Sequence, residues 1–321
     1  MRRCGAPWVS RPKRSSIEAR VKPFQRIAFG ALPTHPRVPH AFARTRGVDV
    51  TVASRPFGSM KVHYREMGEG PPLLLVHGLM TSSYSWRYVF DTLAKTHRVI
   101  APDLPGAGLS DKPRAPYRAE ALAEWLGEFQ RELGIEGCLA IGNSLGGFLC
   151  MMHAMREPRA YAKLVNIHSP ASPDLRYRVL GLALAVPGTQ ALLRALVGRD
   201  GRKWTHKNVH YYDETLKSLE EAEMYAAPLR TREGLAAFRS YLKDAVALRG
   251  FVALAAELRA RPFPVPLLLL YATTDPLVSP DNASYLAKLV PTAKVVMLER
   301  TSHFAHVDTP KAVTDAVLEF F

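Results

Sequence analysis

Short apolar runs separated by stretches of helical period dominate the chain from residue 72 onward. Pro72-Leu73-Leu74-Leu75-Val76, Cys138-Leu139-Ala140-Ile141, Val165-Asn166-Ile167, Pro266-Leu267-Leu268-Leu269-Leu270-Tyr271 and Ala293-Lys294-Val295-Val296-Met297-Leu298 are near-continuous rather than alternating. That pattern belongs to parallel strands buried on both faces. After the second run, residues 146–157 set Phe148, Leu149, Met152 and Met155 on one helical face. From about Ser169 to Arg261 the strand and helix alternation stops and the chain reads mainly as helices. The predicted organisation is an α/β core over 49–168 and 262–321, interrupted by a helical unit over 169–261.

The sextet Gly142-Asn143-Ser144-Leu145-Gly146-Gly147 falls between the second run and its helix. A serine hydroxyl is a weak nucleophile at neutral pH, so a site that uses one must expose it beside a base and an oxyanion donor. Glycines on both sides let the backbone reverse sharply from strand to helix, leaving Ser144 at the tip with the Leu145 N–H beside it. A serine between spaced glycines turns up by chance in about one chain in ten of this size, so the surroundings must decide. Asp275 lies just past the Pro266 to Tyr271 run, and His303, in Thr301-Ser302-His303-Phe304, just past the run ending at Leu298. An imidazole there can take the Ser144 proton through one ring nitrogen while Asp275 fixes its tautomer through the other. Asp281 and Asp174 compete with Asp275 for that role, and His306 competes with His303. The Pro72 to Val76 run ends in His77-Gly78-Leu79-Met80, where Leu79 can supply a second oxyanion N–H. His77 then braces the loop, and Gly78 is a point of close approach.

These motifs carry a resemblance. Residues from about Thr51 to Phe321 resemble an α/β-hydrolase, a fold with a mostly parallel central sheet flanked by helices. In that fold the order Ser, Asp, His is the chain order of the triad, and an insertion at 169–261 forms a helical cap over the serine. The stretches from His77 to Arg87 and from Ala101 to Pro113 are similar to haloalkane dehalogenases and epoxide hydrolases. Those families have an aspartate nucleophile where this chain has Ser144. The dehalogenases have a halide-binding tryptophan where it has Leu145, and the family's proline after the oxyanion residue is Met80 here. The scaffold carries over and the chemistry does not. The sextet also resembles serine hydrolases that cleave carbon–carbon bonds in ring-fission products, although the Gly-Pro-Gly usual in them is missing, and it is shared by carboxylester hydrolases. The resemblance implies a serine hydrolase of carboxylic ester or related acyl substrates, without a cofactor. C–C hydrolysis of a diketone and a slow ligand receptor on the same fold are the alternatives.

Length and composition fit one such core, since 321 residues at 47% hydrophobic content can bury a sizeable interior. In the cap, Leu180, Leu182, Leu184, Leu192, Leu193 and Leu196 form an apolar underside, with Glu220, Glu221 and Glu223 facing water. Tyr211, Tyr212, Trp204 and Tyr241 are candidate lid contacts. An apolar acyl substrate of medium size follows if some of those leucines line the cleft. Of the net charge of +14, +10 sits in residues 1–48, where eleven Lys and Arg meet only Glu18. That arm is read as a flexible or loosely docked extension. It is not read as a nucleic-acid binder, since the basic excess sits in one terminal arm, and it is suited to weak contact with an anionic membrane surface. Cys4, Cys138 and Cys150 have neither metal nor redox spacing, and His206 with His210 has no acidic base between them, so no metal is expected. The lack of a signal core or a spanning apolar run predicts a cytoplasmic protein, and the pattern leaves its oligomeric state open.

Overall fold

A computed structural model describes residues 22–321 except 174–178, 180–181, 185, 187 and 198–199; Cys4, Asp174 and Leu180 therefore lie outside the described residues. The strands are β1 (Arg46–Ser54), β2 (Gly58–Met67), β3 (Pro72–Val76), β4 (Arg98–Pro102), β5 (Cys138–Asn143), β6 (Tyr161–Ile167), β7 (Leu267–Ala272) and β8 (Lys294–Leu298). They form one sheet in the order β1-β2-β4-β3-β5-β6-β7-β8, in which the β1–β2 and β2–β4 pairs are antiparallel and all other neighbours are parallel. The apolar runs explain which strands are central. Every residue of β7 is buried, and so are four of the five in β3, whereas the edge strand β8 exposes Val295 and Met297.

Helices of eight or more residues are numbered here α1 (Ala119–Leu133), α2 (Leu145–Arg156), α3 (Thr189–Val197), α4 (Gly201–Asn208), α5 (Leu219–Ala226), α6 (Arg232–Ser240), α7 (Leu248–Ala260), α8 (Asp281–Leu289) and α9 (Pro310–Phe320). α1 and α2 pack on one face of the sheet, where Trp125, Phe129, Phe148 and Leu149 are fully buried. On the other face Trp86, Phe90, Val313 and Val317 close over Leu73, Leu75 and Leu270. α3 to α7 are inserted between β6 and β7, within the span read as a cap. No helix among the described residues is long and apolar enough to cross a membrane.

Two features of the inserted unit differ from expectation. Glu221 does not face water. It is buried on α5, and its Oε2 accepts from Arg87 Nη2 at 2.5 Å, with both side chains almost wholly out of solvent. Arg87 also lies over the rings of Tyr84 and Tyr88, which compensates part of its lost hydration. Removing one partner of such a pair strands the other charge in a dry setting. Glu221→Ala is therefore expected to destabilise the protein by about 3–5 kcal/mol, measured as a fall in urea midpoint. A change within 0.5 kcal/mol, the range typical of surface positions, would show that the pair is hydrated. Leu182 is likewise exposed, not part of an underside, whereas Leu193 is buried with Leu229, Leu235 and Phe238.

Of the two readings of the basic arm, the part described is docked. Residues 22–45 run across the inserted helices to the core: Phe24 N–H donates to Tyr212 O (3.0 Å), Leu219 N–H to Pro33 O (2.8 Å) and Glu220 N–H to Thr34 O (3.0 Å). Phe42 then inserts beside Tyr84 and Phe90, and Arg44 pairs with Asp91. β1 begins at Arg46, so the sheet starts two residues before the arm was expected to end.

Candidate active site

The parallel strands bring their carboxyl ends to one edge, the edge at which α/β sheets open a crevice. Adjacent register pairs Val76 with Gly142, Asn143 with Ile167, Ile167 with Leu270 and Ala272 with Leu298. The residues that follow these strand ends are His77, Ser144, His168, Asp275 and His303.

Ser144 occupies φ 54°, ψ −121°, between β5 and α2. A non-glycine residue there is strained by about 1–3 kcal/mol and persists only where its surroundings fix it. They do so on both sides of the residue. Its N–H donates to Ile167 O (2.7 Å), and its carbonyl accepts from Ser169 Oγ (2.8 Å) and Phe148 N–H (3.1 Å). The glycines serve packing: a Cβ on Gly146 would lie 2.1 Å from Val76 O, and one on Gly147 2.3 Å from Ser169 Oγ. Leu145 opens α2, so its N–H is one of the amides with no acceptor inside the helix.

The loop after β3 meets this turn directly, since a Cβ on Gly78 would stand 3.1 Å from Ser144 Cβ. Both ring nitrogens of His77 are engaged in holding that loop: Leu104 N–H donates to Nε2 (3.0 Å), and Nδ1–H donates to Gly78 O (2.8 Å). Burial lowers its pKa, in keeping with this neutral tautomer. Leu79 follows, half-buried, at the wall of the cleft. Met80 has φ 64°, a conformation closed to proline, so the substitution at this position comes with a backbone that proline could not follow.

Asp275 and His303 are brought together, with His303 Nδ1–H donating to Asp275 Oδ2 at 2.7 Å. The other carboxylate oxygen, Oδ1, accepts from Leu277 N–H (2.7 Å) and Val278 N–H (3.0 Å). Burial by itself would raise Asp275, but His303 and a second imidazole hold it well below the usual carboxylate range. The His303 carbonyl accepts from Asn143 Nδ2 (3.1 Å), which also donates to Ile167 O (3.3 Å) and so ties the histidine loop to the serine turn. Of the competing residues, Asp281 is exposed at the start of α8 and accepts from Ser279 Oγ (3.1 Å). His306 is buried against Trp86, ring centroids 4.4 Å apart, with its pKa pushed well down by burial.

A cleft adjoins the His77 to Ser82 loop. Leu79, Met80, Met224, Leu229, Phe238 and Tyr241 give it apolar walls. Of the candidate lid contacts only Tyr241 reaches it; its OH donates to Pro105 O (2.6 Å). Tyr211 packs on Phe304, Tyr212 on Phe24 and Trp204 on Phe238.

With that geometry in place, the decisive comparison is with families: the description "alpha/beta hydrolase fold" matches residues 71–310, most of the chain. This protein belongs to the α/β hydrolase fold family. It is similar in sequence to haloalkane dehalogenases and to a dienoic acid hydrolase, and in fold to an epoxide hydrolase. Haloalkane dehalogenase 2 of Mycobacterium tuberculosis (strain ATCC 25618 / H37Rv) is 28% identical over 275 residues, covering 81% of this chain and 91% of that protein. The 2-hydroxy-6-oxo-6-(2'-aminophenyl)hexa-2,4-dienoic acid hydrolase of Metapseudomonas resinovorans is 26% identical over 276 residues, 82% and 88% of the two chains. Among solved structures, the epoxide hydrolase CorEH superposes with a TM-score of 0.73 at 21% identity, over 86% of this chain and 99% of that one.

In this α/β hydrolase, sequence reasoning missed two residues of the crevice. Asn143 was passed over as part of the sextet. His168, one residue beyond β6, is fully buried with φ 54°, and its Nδ1 stands 3.1 Å from Asp275 Oδ2. The signal was present, since a histidine directly after an apolar strand falls on the same sheet edge as Ser144. Donor atoms of His168, Asp275 and His303 converge within 4.8 Å, a spacing that could hold a cation. The hydrogen bond from His303 argues otherwise, because an Nδ1 that donates to the carboxylate has no lone pair left for a cation.

Proposed function

We propose that this α/β hydrolase is a serine hydrolase of carboxylic esters or related acyl compounds. The observation that carries the reading is the strained, supported Ser144 turn on the same sheet edge as the Asp275–His303 pair. Ser144 Oγ attacks the carbonyl carbon and His303 Nε2 takes its proton, while Asp275 holds Nδ1–H and so keeps Nε2 free to act as base. The N–H groups of Leu79 and Leu145 receive the oxyanion. His303 then returns the proton to the leaving group, and water repeats the cycle on the acyl-enzyme.

The apolar walls of the cleft support an uncharged acyl group of medium length. In a p-nitrophenyl ester series from acetate to laurate, kcat/KM is expected to rise with chain length to an optimum between butyrate and octanoate and then fall. The rise should be about 1–3 kcal/mol per methylene at most, or 10- to 200-fold. A flat series would remove the apolar cleft as the acyl site. Covalent capture by a fluorophosphonate tests the nucleophile separately.

C–C hydrolysis is the second reading, favoured by the likeness to the dienoic acid hydrolase and by the Gly-Asn-Ser-Leu-Gly-Gly turn. A coloured ring-fission diketone bleached faster than any ester in the series would decide for it.

A further inference from the structure

One buried titratable group in the crevice has no part in the reaction just described. His168 follows β6 and packs against three elements at once. Asp275 and Tyr271 face it from β7 and the loop beyond, His303 from the loop after β8, and His306 from the short turn after that. Tyr271 OH is directed away, donating to Ser169 O at 2.6 Å. The Ala272 N–H lies 3.0 Å from His168 Nε2 and 3.3 Å from Nδ1. An amide can only donate, so the nearer nitrogen, Nε2, must accept, and the proton of the neutral ring sits on Nδ1, facing Asp275 Oδ2 at 3.1 Å. Burial, which lowers the pKa of His168, keeps it in that neutral form.

One carboxylate oxygen thus lies close to two imidazole nitrogens, accepting from His303 Nδ1 at 2.7 Å with His168 Nδ1 at 3.1 Å. The oxygen's charge is divided between them. A donor that does not take part in proton transfer lowers the carboxylate's hold on the one that does. Resting on the serine hydrolase reading, we propose that His168 is a positioning residue: by sharing Asp275 Oδ2 with His303 it fixes the carboxylate and limits how strongly it stabilises a proton on His303. Its backbone has a second part in the site, because His168 N–H donates to Leu270 O (3.1 Å) and its strand partner Ile167 supplies the carbonyl that holds Ser144 N–H.

The experiment compares wild type, His168→Phe and His168→Asn, following kcat/KM for p-nitrophenyl butyrate from pH 5 to 9 together with fluorophosphonate labelling. Phe keeps the ring volume without an N–H. Its kcat is expected to fall about tenfold, and the acid limb of its profile to move up by about 0.5–1 pH unit, as the undivided carboxylate stabilises the protonated base. Asn tolerates the left-handed backbone and presents Nδ2–H where Nδ1–H stood, so it should return the limb to within about 0.2 unit of wild type, inside the spread expected for one added neutral hydrogen bond. A folded, active Phe variant whose limb does not move would overturn the proposal, and so would an Asn variant with the Phe profile. If the Phe variant does not fold, His168→Leu takes its place in the comparison. A wild type that neither hydrolyses the ester nor takes the label defeats the serine hydrolase reading itself, which an unmoved limb in a labelled, active enzyme leaves standing.

Discussion

Ser144→Ala is expected to abolish ester turnover, lowering kcat by about 10⁴–10⁶, or about 5–8 kcal/mol of transition-state stabilisation, and to remove fluorophosphonate labelling altogether. The loss should be purely chemical. The conformation at residue 144 is held by main-chain bonds to Ile167, Ser169 and Phe148, none of which uses the hydroxyl. Alanine keeps the Cβ that fits against Gly78 and adds nothing to the strain. The melting temperature should therefore stay within a degree or two of wild type. Turnover that persists within tenfold would place the nucleophile elsewhere in the crevice.

Asp275→Asn should cost nearly as much, about 10³–10⁴ in kcat, and the geometry gives the reason. Leu277 and Val278 present N–H groups to Oδ1, so an asparagine must place its carbonyl oxygen there. Its NH₂ then faces Nδ1 of both His303 and His168. Each imidazole is forced to move its proton to Nε2. For His303 this blocks the nitrogen that should accept from Ser144, and for His168 it sets Nε2–H against the Ala272 amide 3.0 Å away. The second conflict leaves a buried donor unsatisfied, so a loss of about 1–3 kcal/mol in stability should accompany the kinetic defect. The measurement is kcat beside a urea unfolding curve. A rate within tenfold of wild type would reopen the case for Asp281, and Asp281→Asn would then be the variant to assay.

What could be read from the chain follows from the range of the forces involved. Buried parallel strands announce themselves because continuous apolar runs such as Leu267 to Tyr271 have few other uses in a protein this size, and each chemically competent residue at a run's end inherits the same sheet edge. That logic reached Ser144, Asp275 and His303. It applied equally to His168, which was lost among loop residues because a lone histidine carries no motif. Glu221 shows a different failure. On a helix flanked by Glu220 and Glu223 it reads as solvated, and what buries it is Arg87, 134 residues away. Pairing at that separation is decided by tertiary packing and leaves no local pattern. The docking of the arm left no clear signal for a related reason: residues 22–45 form main-chain bonds and isolated aromatic contacts, which produce no periodicity.

The same arm changes how the cleft opens. The first two amides of α5, Leu219 and Glu220, belong to the set that a helix cannot satisfy internally, and their acceptors are carbonyls of residues 33 and 34, outside both cap and sheet. The next residue of the same helix, Glu221, pairs with Arg87, and a turn further on Met224 and Tyr225 reach the cleft wall. Lifting α5 would release two main-chain bonds and a buried ion pair together. The arm therefore pins α5, and with it the stretch of cleft wall built by Met224 and Tyr225, to a segment that belongs to neither the sheet nor the inserted helices.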